Sequence, residues 1–359
     1  MSSCNTSKDG ELEMPASYEF TRNGVSTVDF SGQTERLDML DLMAVYMKES
    51  NTLGVASVEE DVLNNMFGNV GNPFPAKAFE KDLKSKCFKT DTVFFQTWFH
   101  EIAVASQSTK TASEGVAGVM VDANNPTTGY RVNANGIEPR QIIVKGLMGA
   151  VFFYQAMDVY LSEERMGSVG NNNLEDGENY TEMEHYCDEA FGYFGVSADF
   201  PNPATLEDGR FWGEYVNTRN EGLYPGINEE ISLAFRTIRA AIVAKDYEAR
   251  DQAIQRLMQK WSIVIAASAV GYLEKAKTKN GLPQHKKHHV LSEAIGFMLA
   301  LKYHFNGGNS KFPPHYTFSK IKTALLTIGP DVNLYSVSDG DIDKVISQIK
   351  EAFPAGDIK

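Results

Sequence analysis

Between residues 35 and 50, Leu37, Leu40, Met43, Ala44 and Met47 recur at helical spacing, which predicts a helix with one buried face. The same period predicts helices over 58–67, 76–86, 90–107, 210–220, 228–245, 247–277, 283–305, 317–326 and 341–353. In 247–277, Trp261, Ile265, Ala266, Ala269 and Leu273 make a stripe of large and small residues suited to tight packing. The stretch 140–165, which holds Gly146, Gly149, Phe152, Phe153 and Tyr154, is apolar on most sides and is expected at the centre of the fold. Ahead of these, Tyr18-Glu19-Phe20 and Val28-Asp29-Phe30 alternate around Asn23-Gly24, the pattern of a short hairpin or extended arm. Strand signals are sparse after residue 30, so the expected class is all-α.

Polar, glycine-rich stretches punctuate this pattern. Residues 108–139 are rich in Gly, Asn, Thr and Ala, and form either an ordered loop or a small hairpin projecting from the helices. An Asn- and acid-rich loop spans 167–180. Breaks at Pro201, Pro203 and Asp208-Gly209 suggest a boundary between an N-terminal half, 15–200, and a C-terminal half, 201–359. In each half a long apolar helix, starting near Lys145 or Lys260, precedes a loop and then a helix with a shared motif. The expected architecture is therefore two packed helical bundles related by an internal duplication.

The shared motif is the most specific feature of the chain. Its first copy is His185-Tyr186-Cys187-Asp188-Glu189-Ala190-Phe191-Gly192-Tyr193, and its second is His289-Val290-Leu291-Ser292-Glu293-Ala294-Ile295-Gly296-Phe297. On a helix, the i,i+4 spacing puts His185 beside Glu189 and His289 beside Glu293. The Ala and Gly that follow each Glu leave room for another backbone to come close. Imidazole nitrogen with carboxylate oxygen suits iron, manganese or zinc. On that reading His185, Asp188 and Glu189 are the first candidate ligands, and His289 and Glu293 the second, because Ser292 replaces the acid. The alternative is a buried polar pair that fixes helix register.

Other signals are weaker. His285, His288 and His289 cluster at a predicted helix start, where His285 and His288 are expected in solvent. Phe99-His100-Glu101 begins like a zinc-protease motif, but Val104 stands where its second His belongs. Asp339, Asp341 and Asp343 mimic a calcium loop, yet Lys344 and Lys350 occupy its Gly and Glu positions, so helix capping is expected. Trp212 and Glu214 are candidates for lining a cleft, with a core role for the aromatic as the alternative. No phosphate-loop or nucleophile-elbow motif occurs.

Composition narrows the partners. A net charge of −13 opposes a nucleic-acid surface, which needs clustered Lys and Arg, and opposes binding to an anionic membrane surface. Cys4, Cys87 and Cys187 follow no metal-ligand or disulfide spacing. Met1-Ser2-Ser3-Cys4-Asn5 looks like the end of a bacterial lipobox, with Cys4 as the lipidated residue and residues 1–14 as a tether. A disordered terminus with a chance Cys is the alternative.

Ser31-Gly32-Gln33-Thr34, the two motif runs and Trp212-Gly213-Glu214-Tyr215 together resemble a Bacteroidota lipoprotein family known as domain of unknown function 4856. The resemblance covers most of the chain from about residue 15, and implies an outer-membrane lipoprotein with this helical fold. More distantly, the paired helical halves resemble imelysin-type proteins, which implies a link to iron uptake. Met183 stands where their motif has Gly, and Asp188 where it has Glu.

The leading functional expectation is a lipid-anchored cell-envelope protein that binds iron, haem or another divalent metal species for uptake. The second is a non-enzymatic accessory lipoprotein that docks on an outer-membrane transporter and presents 108–139. The third is a metallopeptidase, disfavoured because no complete zinc triad with a general base is visible. In each case the membrane is reached only through the lipid anchor, and nucleic acid is not a partner.

Overall fold

Residues 12–54, 57–167, 170–304 and 311–359 are described by the computed structural model. They form an all-α fold with two small antiparallel hairpins. The first hairpin, β1 (Thr21–Arg22) and β2 (Val25–Ser26), turns at Asn23 and Gly24, both with positive φ as a two-residue turn requires. The helices are α1 (Ser31–Glu49), α2 (Glu60–Gly68), α3 (Thr92–Gln107), α4 (Pro139–Leu147), α5 (Glu163–Gly167) and α6 (Glu182–Gly192), then α7 (Trp212–Glu221), α8 (Ile227–Ala244), α9 (Tyr247–Ala276), α10 (Gln284–Ala300), α11 (Phe318–Thr327) and α12 (Asp339–Ala352). The second hairpin pairs β3 (Gly118–Asp122) with β4 (Asn125–Val132) inside the predicted excursion.

Sequence and structure part at 76–86, where only a short 3₁₀ turn, Lys84–Lys86, forms instead of a helix. Side chains take over the backbone groups that a helix would have paired. Asn69 donates to the carbonyls of Phe79 and Lys81, and Glu35 accepts from the amides of Glu80 and Lys81. A backbone satisfied in this way has no need of a helical ladder.

The helix α9 runs through the middle, with α8 on one side and α10 on the other, and α10 also packs along α4. Beyond α4 the chain continues in two π-helical segments, Met148–Phe153 and Gln155–Tyr160, whose residues are nearly all buried. Gly149 permits a close crossing there, since a Cβ would lie 2.4 Å from Ala300 Cα. By length and composition 139–167 could cross a membrane, but 78% of its most apolar window is buried inside the protein, as befits a core helix. One continuous core takes residues from both sides of the 200/201 boundary, and Phe153, Trp212 and Trp261 meet in it.

Helix ends follow their local chemistry. Thr181 and Glu184 form a reciprocal cap at the start of α6, as Ser338 and Asp341 do at α12. Of the three aspartates expected to cap there, Asp341 does so, whereas Asp339 accepts from Thr278 and Asp343 pairs with Lys277. The β3–β4 hairpin lies along the molecule. Its inner edge is tied to the loop after α1 by bonds from Leu53 N to Thr127 O (2.9 Å) and from Gly129 N to Asn51 O (3.0 Å).

Candidate functional site

The first motif faces inward from α6. Asp188 is fully buried, and its Oδ1 accepts from the Tyr18 hydroxyl (2.9 Å) and from Arg239 Nε of α8 (3.0 Å). Its Oδ2 accepts from the Asp29 amide (3.4 Å). One turn earlier, Glu184 Oε1 lies 3.1 Å from Arg239 Nη1 and 2.8 Å from Arg22 Nη2. Arg239 thus bridges two buried carboxylates, and it also donates to Thr27 Oγ1 (2.9 Å). Burial pushes the Asp188 carboxyl up to about 6 against the pull of Arg239, while Arg239 itself is held firmly cationic by its two acids. Burial also works to raise Glu184, but Arg239, Arg22 and the Thr181 amide outweigh it and hold Glu184 below the usual carboxylate range. Glu189 accepts from Gln33 Nε2 of α1 (2.8 Å). The ring of His185 stacks on Tyr180 at 4.6 Å, and its Nδ1 is buried with no hydrogen-bond partner among the described residues.

The second motif, on α10, is built around an imidazole. His289 Nδ1 lies 2.5 Å from Glu138 Oε2, just ahead of α4, and Nε2 lies 3.4 Å from Glu293 Oε2. Both ring nitrogens therefore face carboxylates, a setting that favours the doubly protonated ring. Burial alone would lower its pKa, but Glu138 and Glu293 outweigh burial and raise it. Tyr130 of β4 stacks on the same ring at 4.4 Å, and Lys145 of α4 lies 3.7 Å from Glu293.

The two copies share a local task. Each motif helix receives the first turns of another helix, α1 for α6 and α4 for α10. The fourth motif residue accepts an amide just ahead of that helix: Asp188 from Asp29, and Ser292 from Glu138 N at 2.9 Å. The following Glu meets a side chain inside the helix, Gln33 or Lys145. The motif Gly then makes the close approach possible. A Cβ on Gly192 would lie 2.6 Å from Phe30 Cβ and 2.9 Å from Gln33 Cβ. On Gly296 it would lie 2.6 Å from Lys145 Cβ and 2.9 Å from the Gln141 carbonyl oxygen. The polar partners of one motif have no residue in common with those of the other.

A metal ion needs several donor atoms converging on one point. At the first motif a guanidinium already occupies the electropositive position, and Glu189 turns to Gln33. At the second, Glu138 and Glu293 lie at opposite nitrogens of one ring. No group of three or more His, Cys, Asp or Glu side chains among the described residues converges in the required way. The residues present do not fit a metal ion at either motif.

His285 and His288, expected in solvent, are buried at 5% and 2% exposure, because the β3–β4 excursion folds over them. His285 Nε2 lies 3.7 Å from Asp122 Oδ2, and His288 Nδ1 lies 2.7 Å from the Gly136 carbonyl oxygen. Trp212 is wholly buried and donates to Met148 O (3.1 Å), which makes it a core residue. His100 pairs with Glu60 at an exposed position, 2.8 Å away. Cys4 lies outside the described residues.

Residues 15–355 match the family described as Domain of unknown function (DUF4856). The chain belongs to this family. No curated protein and no solved structure matches it. Membership accords with a fold in which both motifs, from α6 to α10, sit within the matched span.

Arg239, Tyr18, Glu184 and Glu138 complete the two motifs and were not foreseen from the sequence. A signal was present for Arg239, a charge on the apolar stripe formed by Ile231, Phe235, Ile238 and Ile242 of α8. Such a charge is buried only with a partner.

Proposed function

We propose that this protein is a non-enzymatic, lipid-anchored accessory protein of the cell envelope that docks on an outer-membrane transporter through its β3–β4 hairpin. One observation carries the reading: the hairpin is held in a fixed pose from two sides. Backbone bonds tie it to the loop after α1, and α10 grips it from the other side through His285–Asp122, His289–Tyr130 and the Lys286 bond to the Tyr130 hydroxyl (2.8 Å). Its turn and the first residues of β4, 123–127 together, stay exposed. An exposed element fixed beforehand loses little freedom on binding, which favours recognition. Anchorage rests on Cys4 and the polar tether that follows it. The uptake of iron, haem or another metal is not favoured over this reading, because the motif carboxylates are engaged with Arg239, Gln33, His289 and Lys145.

Photo-crosslinking in native membranes tests the proposal, with the reactive group placed at Asn124 or Thr127 and, as a control, at Glu351. Expected is one integral outer-membrane protein captured from the hairpin positions and not from Glu351. Equal capture from all three positions, or none from the hairpin, would overturn it.

A further inference from the structure

A second site lies on the opposite side of the hairpin from the histidines, away from both motifs. Arg131 of β4 is only 5% exposed, and its Nε donates to Ser50 O (2.8 Å). It lines a cavity of about 500 Å³, and its terminal nitrogens are engaged by no protein acceptor among the described residues. Burial pulls its pKa below the usual guanidinium range, and no charged neighbour offsets that pull. This contrasts with Arg239, Arg22, Arg210 and Arg250, each of which meets a carboxylate. Arg36, equally buried and also without an acid, spends Nε and Nη1 on the carbonyls of Asp82 and Gly32, so Arg131 is set apart by lacking both an acid and acceptors for its terminal nitrogens.

The rest of the cavity is suited to the same kind of guest. Buried Ser106, half-buried Ser108 and exposed Ser57, Gln107 and Thr109 line it, and Leu53 and Val119 add apolar surface. No Asp or Glu lines it. Glu59, beside the mouth, is engaged by the Ser57 hydroxyl (3.1 Å) and by Gln107 Nε2 (3.3 Å). A buried guanidinium with a free edge matches a carboxylate or phosphate group in bidentate fashion. The Ser57, Ser106 and Ser108 hydroxyls donate to Glu59, Ala103 O and Ala117 O, which leaves the Thr109 hydroxyl as a further donor to such a guest. The volume is that of a small-molecule site.

We infer that the Arg131 cavity binds a small organic anion through its carboxylate or phosphate group. The inference does not depend on the docking reading, since it concerns another face and another kind of ligand.

Isothermal titration of the full chain with inorganic phosphate and with succinate, at constant ionic strength and with chloride as the control, tests it. Expected is saturable binding of at least one of the two oxyanions and none of chloride. Arg131→Gln should weaken that binding roughly tenfold or more, the worth of a charge-assisted hydrogen bond. Thr109→Trp, at the exposed rim, should block entry while leaving the melting temperature unchanged, so the test survives should Arg131→Gln fail to fold. Absence of binding to either oxyanion, equal binding of all three ions, or undiminished binding in both variants would overturn the assignment.

Discussion

Replacing Arg239 with Met tests the idea that the first motif is a charge-balanced brace. The guanidinium sits between two buried acids, 3.0 Å from Asp188 and 3.1 Å from Glu184. Met keeps much of the length and apolar volume but leaves Asp188 with only the Tyr18 hydroxyl and the Asp29 amide, while Glu184 retains Arg22. Removing one member of a buried pair costs about 3–5 kcal/mol, mostly from the charge left behind. Asp188→Asn should cost less, about 1–3 kcal/mol, because Arg239 keeps Glu184. The double variant should then be more stable than the sum of the singles implies, by about 0.5–3 kcal/mol. Acid should rescue the single Arg239 variant. The Asp188 pKa is already raised from 3.8 to about 6, so its contribution favours the fold below the lower value and is lost as the pH rises through the upper one. Without Arg239 the raised value climbs further, and the penalty should be smaller at about pH 5 than at about pH 8. Urea denaturation followed by far-ultraviolet circular dichroism measures all three variants. A loss below about 1 kcal/mol, strict additivity, or no dependence on pH would refute the reasoning.

The α10 clasp should likewise weaken as the pH rises. Because Glu138 and Glu293 raise the His289 pKa above 6.5, its stabilisation is full below that value and fades as the pH climbs through the raised one. Burial lowers His288 and His285, which therefore work against the fold as the pH falls below 6.5, although the Gly136 carbonyl and Asp122 respectively oppose that lowering, and Lys286 and Lys287 add to it. Hydrogen exchange of the 118–132 amides should accelerate in His289→Ala, most clearly at mildly acidic pH, and unchanged exchange would remove the clasp. Gly296→Ala should cost about 1–3 kcal/mol by pushing α10 off the Gln141 carbonyl and Lys145, and Gly192→Ala should cost a similar amount against Phe30 and Gln33. Thermal melts check both, and an unchanged melting temperature in either would count against the tight crossings.

Much of this was legible in the residue pattern, and the reason lies in range along the chain. The helical class, the Asn23-Gly24 hairpin, the central 140–165 stretch and the caps at α12 are all written in residues a few positions apart. The close approach at Gly192 and Gly296 was also readable, since a small residue after each motif Glu has few other uses. What the motif polar groups bind was not readable. Asp188 meets Arg239 across 51 residues, Tyr18 across 170, and His289 meets Glu138 across 151, and no local period encodes such pairs. The burial of His285 and His288 escaped for the same reason, because what covers them is distant in sequence: Asp122 and Tyr130 of the hairpin for His285, and Gly136 and Tyr335 for His288. At 76–86 a helical period was present, but Asn69 and Glu35 reached the backbone first.

The central claim is that both motifs spend their acids inside the fold, holding the starts of α1 and α4. Elemental analysis of the protein purified from native membranes, together with His185→Ala and His289→Ala, tests it most directly. The account predicts no stoichiometric metal in any of the three. Stoichiometric iron, manganese or zinc in the parent protein that disappears in either variant would contradict it.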